Sequence, residues 1–113
     1  MIKVLYAEDE PITRMLVADI LSGYCEVVST SNGAEALEEF KKGGFDLIIT
    51  DLSMPKMSGF ELIYKVKEAN PDLPILVTTA FREEYSGIED LAQIIEKPLD
   101  IDKFIKLIEA YCK

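Results

Sequence analysis

Short runs of apolar residues alternate along this chain with longer segments of helical period, and this alternation constrains the fold more than any other feature. Five runs are typical of strands: IKVLYA (2–7), CEVVST (25–30), FDLIIT (45–50), PILVTT (74–79) and AQIIE (92–96). Three of them are apolar at successive positions, as expected when helices cover both faces of a parallel sheet. The pattern predicts an α/β fold with a doubly wound, five-stranded parallel sheet.

Helix signals fill the segments between these strands. Pro11 suits a first helical turn and Gly23 lies near the helix end. The helical period predicts that the inward residues of this helix are Ile12, Met15, Leu16, Ile20 and Leu21. Three spacings of the capping-box type mark further helix starts: Asn32 with Glu35, Ser58 with Glu61, and Ser86 with Glu89. The last helix combines a candidate N-cap, Asp100, with an apolar stripe of Ile101, Phe104, Ile105, Ile108 and Tyr111.

Length and composition favour one soluble, cytoplasmic domain over residues 1–113. The chain has no linker or internal repeat, and none of its apolar runs approaches the roughly 20 residues that a membrane span needs. Its first residues lack the pattern of an export signal. We therefore expect no membrane association.

Charge and rare residues exclude several functions. The net charge of −9 repels nucleic acid and anionic membranes, so direct nucleic-acid binding is not expected. The chain has no histidine, which removes histidine acid–base catalysis, the usual zinc sites and a phosphohistidine carrier role. Cys25 and Cys112 lack a metal-binding spacing, and we expect two reduced thiols.

Polar residues stand directly at the ends of the predicted strands. Glu8 and Asp9 follow the first strand, Asp51 follows the third, Thr79 ends the fourth and Lys97 follows the fifth. In a doubly wound sheet the functional crevice lies beyond these carboxyl ends. If the first and third strands are neighbours, three carboxylates converge there, and two charges about 4 Å apart repel by roughly 4 kcal/mol at an effective dielectric of 20.

Such a cluster requires protons or a cation, and hard oxygen ligands open to water suit Mg²⁺. A carboxylate nucleophile, a divalent metal, an ammonium and a hydroxyl are the groups needed to accept a phosphoryl group. Glu10, ahead of Pro11, is interpreted instead as a charge at the positive end of the first helix.

The motifs EDE after strand one, DLSMPKMSG after strand three, TA after strand four and KP after strand five resemble the receiver domain of bacterial two-component response regulators. The resemblance covers essentially the whole chain and implies a flavodoxin-like (βα)5 fold with strand order 2-1-3-4-5. It implies that Asp51 accepts a phosphoryl group from a histidine kinase or phosphotransfer protein. It also implies that Glu8, Asp9, Asp51 and the backbone carbonyl of Ser53 bind Mg²⁺, that Thr79 and Lys97 contact the phosphoryl group, and that the Lys97–Pro98 bond is cis.

Two departures from that family pattern concern the output surface. Ile94 stands where the family commonly has Tyr or Phe, and the segment from Thr79 to Lys97 is short by about one helical turn. If Ser86 caps the fourth helix, that helix extends only to about Leu91. We therefore expect an altered geometry at the surface through which receivers signal.

Three alternatives remain at this stage. A degenerate receiver would act only as a docking module, independent of phosphorylation. A haloacid-dehalogenase-type phosphatase would need a second Asp two residues after Asp51, where this chain has Ser53. A flavodoxin-like cofactor binder would need a phosphate-cradling loop in place of the acidic AEDEP. The favoured interpretation is a phosphorylated switch with an unknown output partner. It would catalyse only its own phosphorylation and slow dephosphorylation.

Overall fold

The computed structural model describes residues 1–54, 56–79, 88 and 90–112. Its strands form one sheet in the order β2-β1-β3-β4-β5, and every pairing is parallel. The strands are β1 (Lys3–Ala7), β2 (Glu26–Thr30), β3 (Leu47–Asp51), β4 (Ile75–Thr79) and β5 (Gln93–Glu96). The predicted sheet and strand order are therefore confirmed.

Four helices are present among the described residues: α1 (Pro11–Ser22), α2 (Gly33–Lys41), α3 (Gly59–Ala69) and α4 (Ile101–Tyr111). None of them is both long and apolar enough to cross a membrane. The capping pair Ser86 and Glu89 lies outside the described residues, as does most of the helix predicted there. Ile88, Asp90 and Leu91, which are described, lie in a turn.

The remaining predicted N-caps are confirmed. The Asn32 side chain accepts a hydrogen bond from the Glu35 amide at 2.8 Å. The Ser58 hydroxyl accepts from the Glu61 amide, and the Asp100 carboxylate from the Lys103 amide, both at 3.3 Å. Each bond satisfies an amide that has no partner within its own helix, so these three helix starts are encoded locally.

Successive strand residues point into two different apolar clusters, one on each face of the sheet. Leu5 and Ile48 face a cluster completed by α2 and α3 residues such as Ala36 and Leu62. Val4, Tyr6, Leu47 and Ile49 face the other cluster, together with the α1 and α4 residues Val17, Leu21, Phe104 and Ile108. Burial on both faces explains why these strands are apolar at consecutive positions.

The prediction for the inward face of α1 is partly wrong. Ile12, Met15 and Leu16 are 63%, 64% and 56% exposed, whereas Val17 and Leu21 are buried and Ile20 is half-buried. The helix carries apolar residues on two adjacent stripes, and the sheet covers only the stripe of Val17 and Leu21. We call Ile12, Met15 and Leu16 the α1 outer patch. Ile101, predicted within the inward stripe of the last helix, is also 41% exposed.

Candidate functional site

The carboxyl ends of β1, β3 and β5 bring three charged side chains together. Glu8 directly follows β1, Asp51 ends the neighbouring β3, and Lys97 directly follows β5. The Lys97 ammonium donates to Glu8 Oε1 at 2.9 Å and to Asp51 Oδ2 at 3.2 Å. One cation therefore joins two carboxylates from separate strands.

The backbone around Lys97 fixes this approach. Its amide donates to the carbonyl of Thr79 at 2.7 Å, which ties the residue to the end of β4. The Lys97–Pro98 peptide bond is cis, as the resemblance implied. The Lys97 side chain is 24% exposed, so the ammonium is largely but not fully withdrawn from water.

Glu8 is the most enclosed of the acids, with only 1% of the residue exposed. Its second carboxylate oxygen accepts from the Glu10 amide at 3.1 Å. Burial raises the pKa of Glu8, and the hydrogen bonds from Lys97 and the Glu10 amide offset part of that rise. Holding this carboxylate ionised therefore costs free energy unless further positive charge is present.

Lys97 and Tyr6 respond to the same acidic environment. Burial alone would lower the pKa of Lys97, but its hydrogen bond to Glu8 and the nearby negative charges outweigh burial and raise it. Lys97 therefore remains an ammonium at neutral pH. Burial, reinforced by the charges of Glu8 and Asp51, raises the pKa of the Tyr6 phenol. Tyr6 is thus kept neutral below the site.

Asp51 is 8% exposed and is held by bonds to both oxygens. Oδ1 accepts from the following amide, Leu52, at 2.7 Å, while Oδ2 accepts from Lys97. Both donors leave lone pairs on the carboxylate, because each carboxylate oxygen can accept more than one hydrogen bond. The residue is oriented but retains capacity for a further contact.

Glu8, Asp9 and Asp51 could hold a metal ion. Each offers one carboxylate oxygen, and these three oxygens all lie within 4.8 Å of one another. Octahedral Mg²⁺ at about 2.1 Å from its ligands separates them by roughly 3 to 4.2 Å, so a modest contraction would suffice. Three ionised carboxylates and one ammonium, Lys97, leave a charge of −2, which a divalent cation would neutralise.

The other predicted site residues lie near this rim at different depths. Asp9 is exposed. Ser53 is also exposed, in the loop two residues beyond Asp51. Thr79 is fully buried at the end of β4, one residue past Thr78, which pairs with Asp51. Ile94, which was not predicted as a site residue and stands where the family commonly has an aromatic side chain, is half-buried within β5 and packs against the cluster beneath α2 and α3.

Glu10 is separate from the acidic group, as predicted. Its carboxylate caps α1 by accepting from the amides of Ile12 at 3.2 Å and Thr13 at 2.6 Å. These hydrogen bonds, that to Thr13 first, lower the pKa of Glu10. Two acids that are two positions apart therefore have pKa shifts of opposite sign, because one is buried and the other caps a helix.

Arg14 was not found by reasoning from the sequence. It is half-buried on α1, and its guanidinium donates to the backbone carbonyl of Glu8 at 2.9 Å and to that of Asp9 at 3.4 Å. It thereby holds the loop that carries two candidate metal ligands. The available signal was that Arg14 is the only basic residue of α1, one helical turn after an acidic loop.

Two glycines let backbone segments approach closely near the site. A Cβ on Gly59 would lie 2.1 Å from the carbonyl oxygen of Asp51, and the Gly59 amide donates to Leu52 O at 2.9 Å. Glycine at position 59 therefore permits this close approach. Gly33 was missed by the sequence analysis, and a Cβ there would lie 2.2 Å from Met57 O.

We expect Gly59→Ala to lower the free energy of unfolding by about 2 kcal/mol or more, because the added methyl forces the β3 end and α3 apart. The matched control is Gly23→Ala. A Cβ added at Gly23 would lie 3.5 Å from the carbonyl oxygen of Ile20, and the backbone there is helical. We therefore expect Gly23→Ala to cause no loss of stability. Chemical denaturation of both variants measures the difference. Equal stabilities would contradict the close contact at Asp51.

Residues 4–109 match the family model described as the response regulator receiver domain. The chain belongs to this family. Chemotaxis protein CheY of Bacillus subtilis is 28% identical over 94% of this chain and 93% of its own length. The DNA-binding transcriptional regulator NtrC of Rhizobium meliloti is 34% identical over 93% of this chain but only 23% of its own length.

Solved structures match along nearly the whole chain. Response regulator TrrA of Thermotoga maritima, in complex with Mg²⁺ and BeF, superposes with a TM-score of 0.88 at 29% identity, covering 98% of this chain and 99% of that one. The N-terminal domain of a Wolinella succinogenes protein gives a TM-score of 0.91 at 27% identity, over 98% of this chain and 94% of that one. This receiver domain spans a quarter or less of several curated relatives, among them ZraR of Klebsiella oxytoca and the sensor protein EvgS of Escherichia coli.

Proposed function

We propose that this receiver domain accepts a phosphoryl group on Asp51 in a Mg²⁺-dependent reaction, with a histidine kinase or phosphotransfer protein as donor. The observation that carries the proposal is the network in which Lys97 joins Glu8 and Asp51 while Asp9 lies within ligand distance. Phosphorylation then shifts the equilibrium between two conformations of the domain that have different partner-binding surfaces. We place this switch in the cytoplasm.

Each residue has a defined part in the transfer. A carboxylate oxygen of Asp51 attacks the phosphorus, and the bond from phosphorus to the donor's nitrogen breaks. The electron pair stays on that nitrogen, which takes a proton from solvent. Lys97, 3.2 Å from Asp51, neutralises charge on the phosphoryl oxygens as they arrive. Thr79, at the end of the adjacent strand, is proposed to contact another of these oxygens.

Glu8, Asp9, Asp51 and the Ser53 carbonyl would hold Mg²⁺, since all four offer the hard oxygen atoms that this ion prefers. When bound, the ion neutralises negative charge on the carboxylates and the phosphoryl oxygens. TrrA, with Mg²⁺ and BeF bound, supports this assignment by similarity. The domain performs no turnover chemistry on a separate substrate, and its catalysis is limited to its own phosphorylation and slow dephosphorylation.

An exposed apolar surface beside the site supports contact with a protein donor. The α1 outer patch borders a groove of about 450 Å³ that Leu16, Lys97, Pro98 and Ile101 help to line. Exposed apolar residues grouped next to a reactive centre are typical of protein interfaces. A partner seated there would lie beside the Lys97 end of the acidic rim.

Incubation with acetyl phosphate tests the reaction without a kinase. We expect intact-mass analysis to show one added phosphoryl group on the native chain with Mg²⁺, and none when Mg²⁺ is chelated. Asp51→Asn removes the nucleophile and should abolish the adduct, while Asp46→Asn, at the opposite end of β3, should leave it unchanged. No adduct under any condition would instead favour the docking module.

A further inference from the structure

Arg14 joins α1 to the loop that carries two of the candidate metal ligands. Its guanidinium donates to the backbone carbonyls of Glu8 at 2.9 Å and Asp9 at 3.4 Å, and its backbone amide donates to the carbonyl of Glu10 at 2.9 Å. These are the three residues between the end of β1 and the start of α1. A single residue of α1 therefore holds three successive carbonyls of the loop.

Both guanidinium bonds go to the backbone, which leaves the carboxylates of the loop available to a cation. The amide of Glu8 donates to Thr30 O at 3.1 Å and its carbonyl accepts from Arg14, so its backbone is fixed on both sides. Its side chain is buried and accepts from Lys97 at the acidic rim. Asp9 is exposed, and its backbone is bound to the same guanidinium.

We propose that Arg14 is a positioning residue that raises the affinity of the acidic rim for Mg²⁺, because it fixes the loop from which Glu8 and Asp9 reach the ion. This inference rests on the function proposed for Asp51, since it concerns the same metal site. Mg²⁺ requires a nearly ideal octahedron of ligands, so its affinity depends on how well their oxygens are placed before it binds. The three carboxylate oxygens lie within 4.8 Å of one another, and an octahedron separates them by roughly 3 to 4.2 Å. A loop released from Arg14 would have to be ordered by the ion itself.

Three roles for Arg14 predict different effects of its replacement on Mg²⁺ binding. If the side chain contributed only its positive charge, replacement by a neutral residue would strengthen binding, because a guanidinium beside the site repels a cation. If it contributed only to stability, the chain would unfold more easily while its Mg²⁺ affinity stayed the same. Positioning requires the affinity to fall. The sign of the change therefore separates the three roles.

Titration of the whole chain with Mg²⁺, followed by calorimetry and by the rise in Tm, tests the proposal. We expect Arg14→Met to raise the dissociation constant for Mg²⁺ about tenfold, as is typical when a group that orients metal ligands is lost. One guanidinium nitrogen makes both carbonyl bonds, so the ammonium of Arg14→Lys can replace it and should bring the constant to within roughly threefold of the native value. Lys41→Met, which removes an exposed charge at the end of α2, is the control and should bind Mg²⁺ as the native chain does.

Weaker binding in Arg14→Met that Arg14→Lys reverses would support the proposal, and an affinity that is unchanged or increased in Arg14→Met would overturn it. Arg14→Gln also removes the charge and should bind Mg²⁺ as weakly, so it decides the question if the methionine variant does not fold. A native chain that binds no Mg²⁺ would overturn the proposed function together with this inference. Native binding that Arg14→Met retains would overturn this inference alone.

Discussion

Lys97→Met should lower the free energy of unfolding by about 2 kcal/mol at neutral pH without Mg²⁺, and should slow phosphorylation by acetyl phosphate by about 100-fold or more. Methionine keeps much of the length and packing of the stem but removes the charge that Glu8 and Asp51 share. The loss of rate follows because no ammonium then meets the incoming phosphoryl oxygens.

The stability lost in Lys97→Met should depend on pH in one direction. In the native chain the pKa of Lys97 is raised, so its stabilisation is present below its ordinary value of 10.5 and disappears only as pH rises through the folded-state value. In Lys97→Met, Glu8 must lose its proton beside Asp51 without the Lys97 ammonium. The loss of stability relative to the native chain should therefore grow from pH 5 to pH 8.

A control separates this effect from the loss of any lysine. Lys41 forms an exposed pair with Glu38 at 3.6 Å, with side chains 62% and 73% exposed, and Lys41→Met should change stability by less than about 0.5 kcal/mol. Urea denaturation at several pH values measures both variants. If Lys97→Met were as stable as Lys41→Met throughout, the charge network would not be a significant source of stability.

Glu8→Gln should have the opposite effect on stability while weakening Mg²⁺ binding about tenfold or more. Glutamine keeps one oxygen that can accept from Lys97 and loses the acceptor for the Glu10 amide, but it also removes a buried negative charge from a cluster of three acids, and we expect the second effect to be larger. We expect a gain of about 1 kcal/mol at neutral pH without metal. The native chain should be stabilised as Mg²⁺ is added, and the variant far less.

The raised pKa of Glu8 determines how this gain varies with pH. Between its ordinary value of 4.5 and the higher folded-state value, the folded chain holds a proton that the unfolded chain releases, so native stability falls as pH rises. The advantage of Glu8→Gln should therefore increase with pH across this window. Thermal melts with and without Mg²⁺, from pH 4 to pH 8, measure it.

Glu10→Gln, in the same loop, is a control whose effect on stability should have the opposite sign to that of Glu8→Gln. Because the pKa of Glu10 is lowered, its charged form contributes stability above its ordinary pKa of 4.5, and that contribution is lost as pH falls. Glu10→Gln should therefore destabilise the neutral protein and leave the Mg²⁺ response intact. A Mg²⁺ response lost in Glu10→Gln but kept in Glu8→Gln would reverse our assignment of the two acids.

Local sequence patterns predicted most of the fold. They failed where the sequence was compatible with two different inward faces of the same helix. Asn32, Ser58 and Asp100 could be found from spacing because a cap and its target amide lie three residues apart. The inward face of α1 could not be found from spacing, because apolar residues cover more than one stripe of that helix. Only packing against the sheet selected Val17 and Leu21 and left the outer patch exposed.

The sequence by itself determined which chemical groups end each strand, because strand ends and helix caps depend on residues only a few positions apart. The tertiary structure decided how those groups meet. Lys97 contacts Glu8 across 89 positions and Asp51 across 46. Such contacts depend on strand order and on the paths of intervening segments, which no short spacing encodes. For the same reason the Arg14 bonds to the acidic loop became visible only once the sheet was assembled.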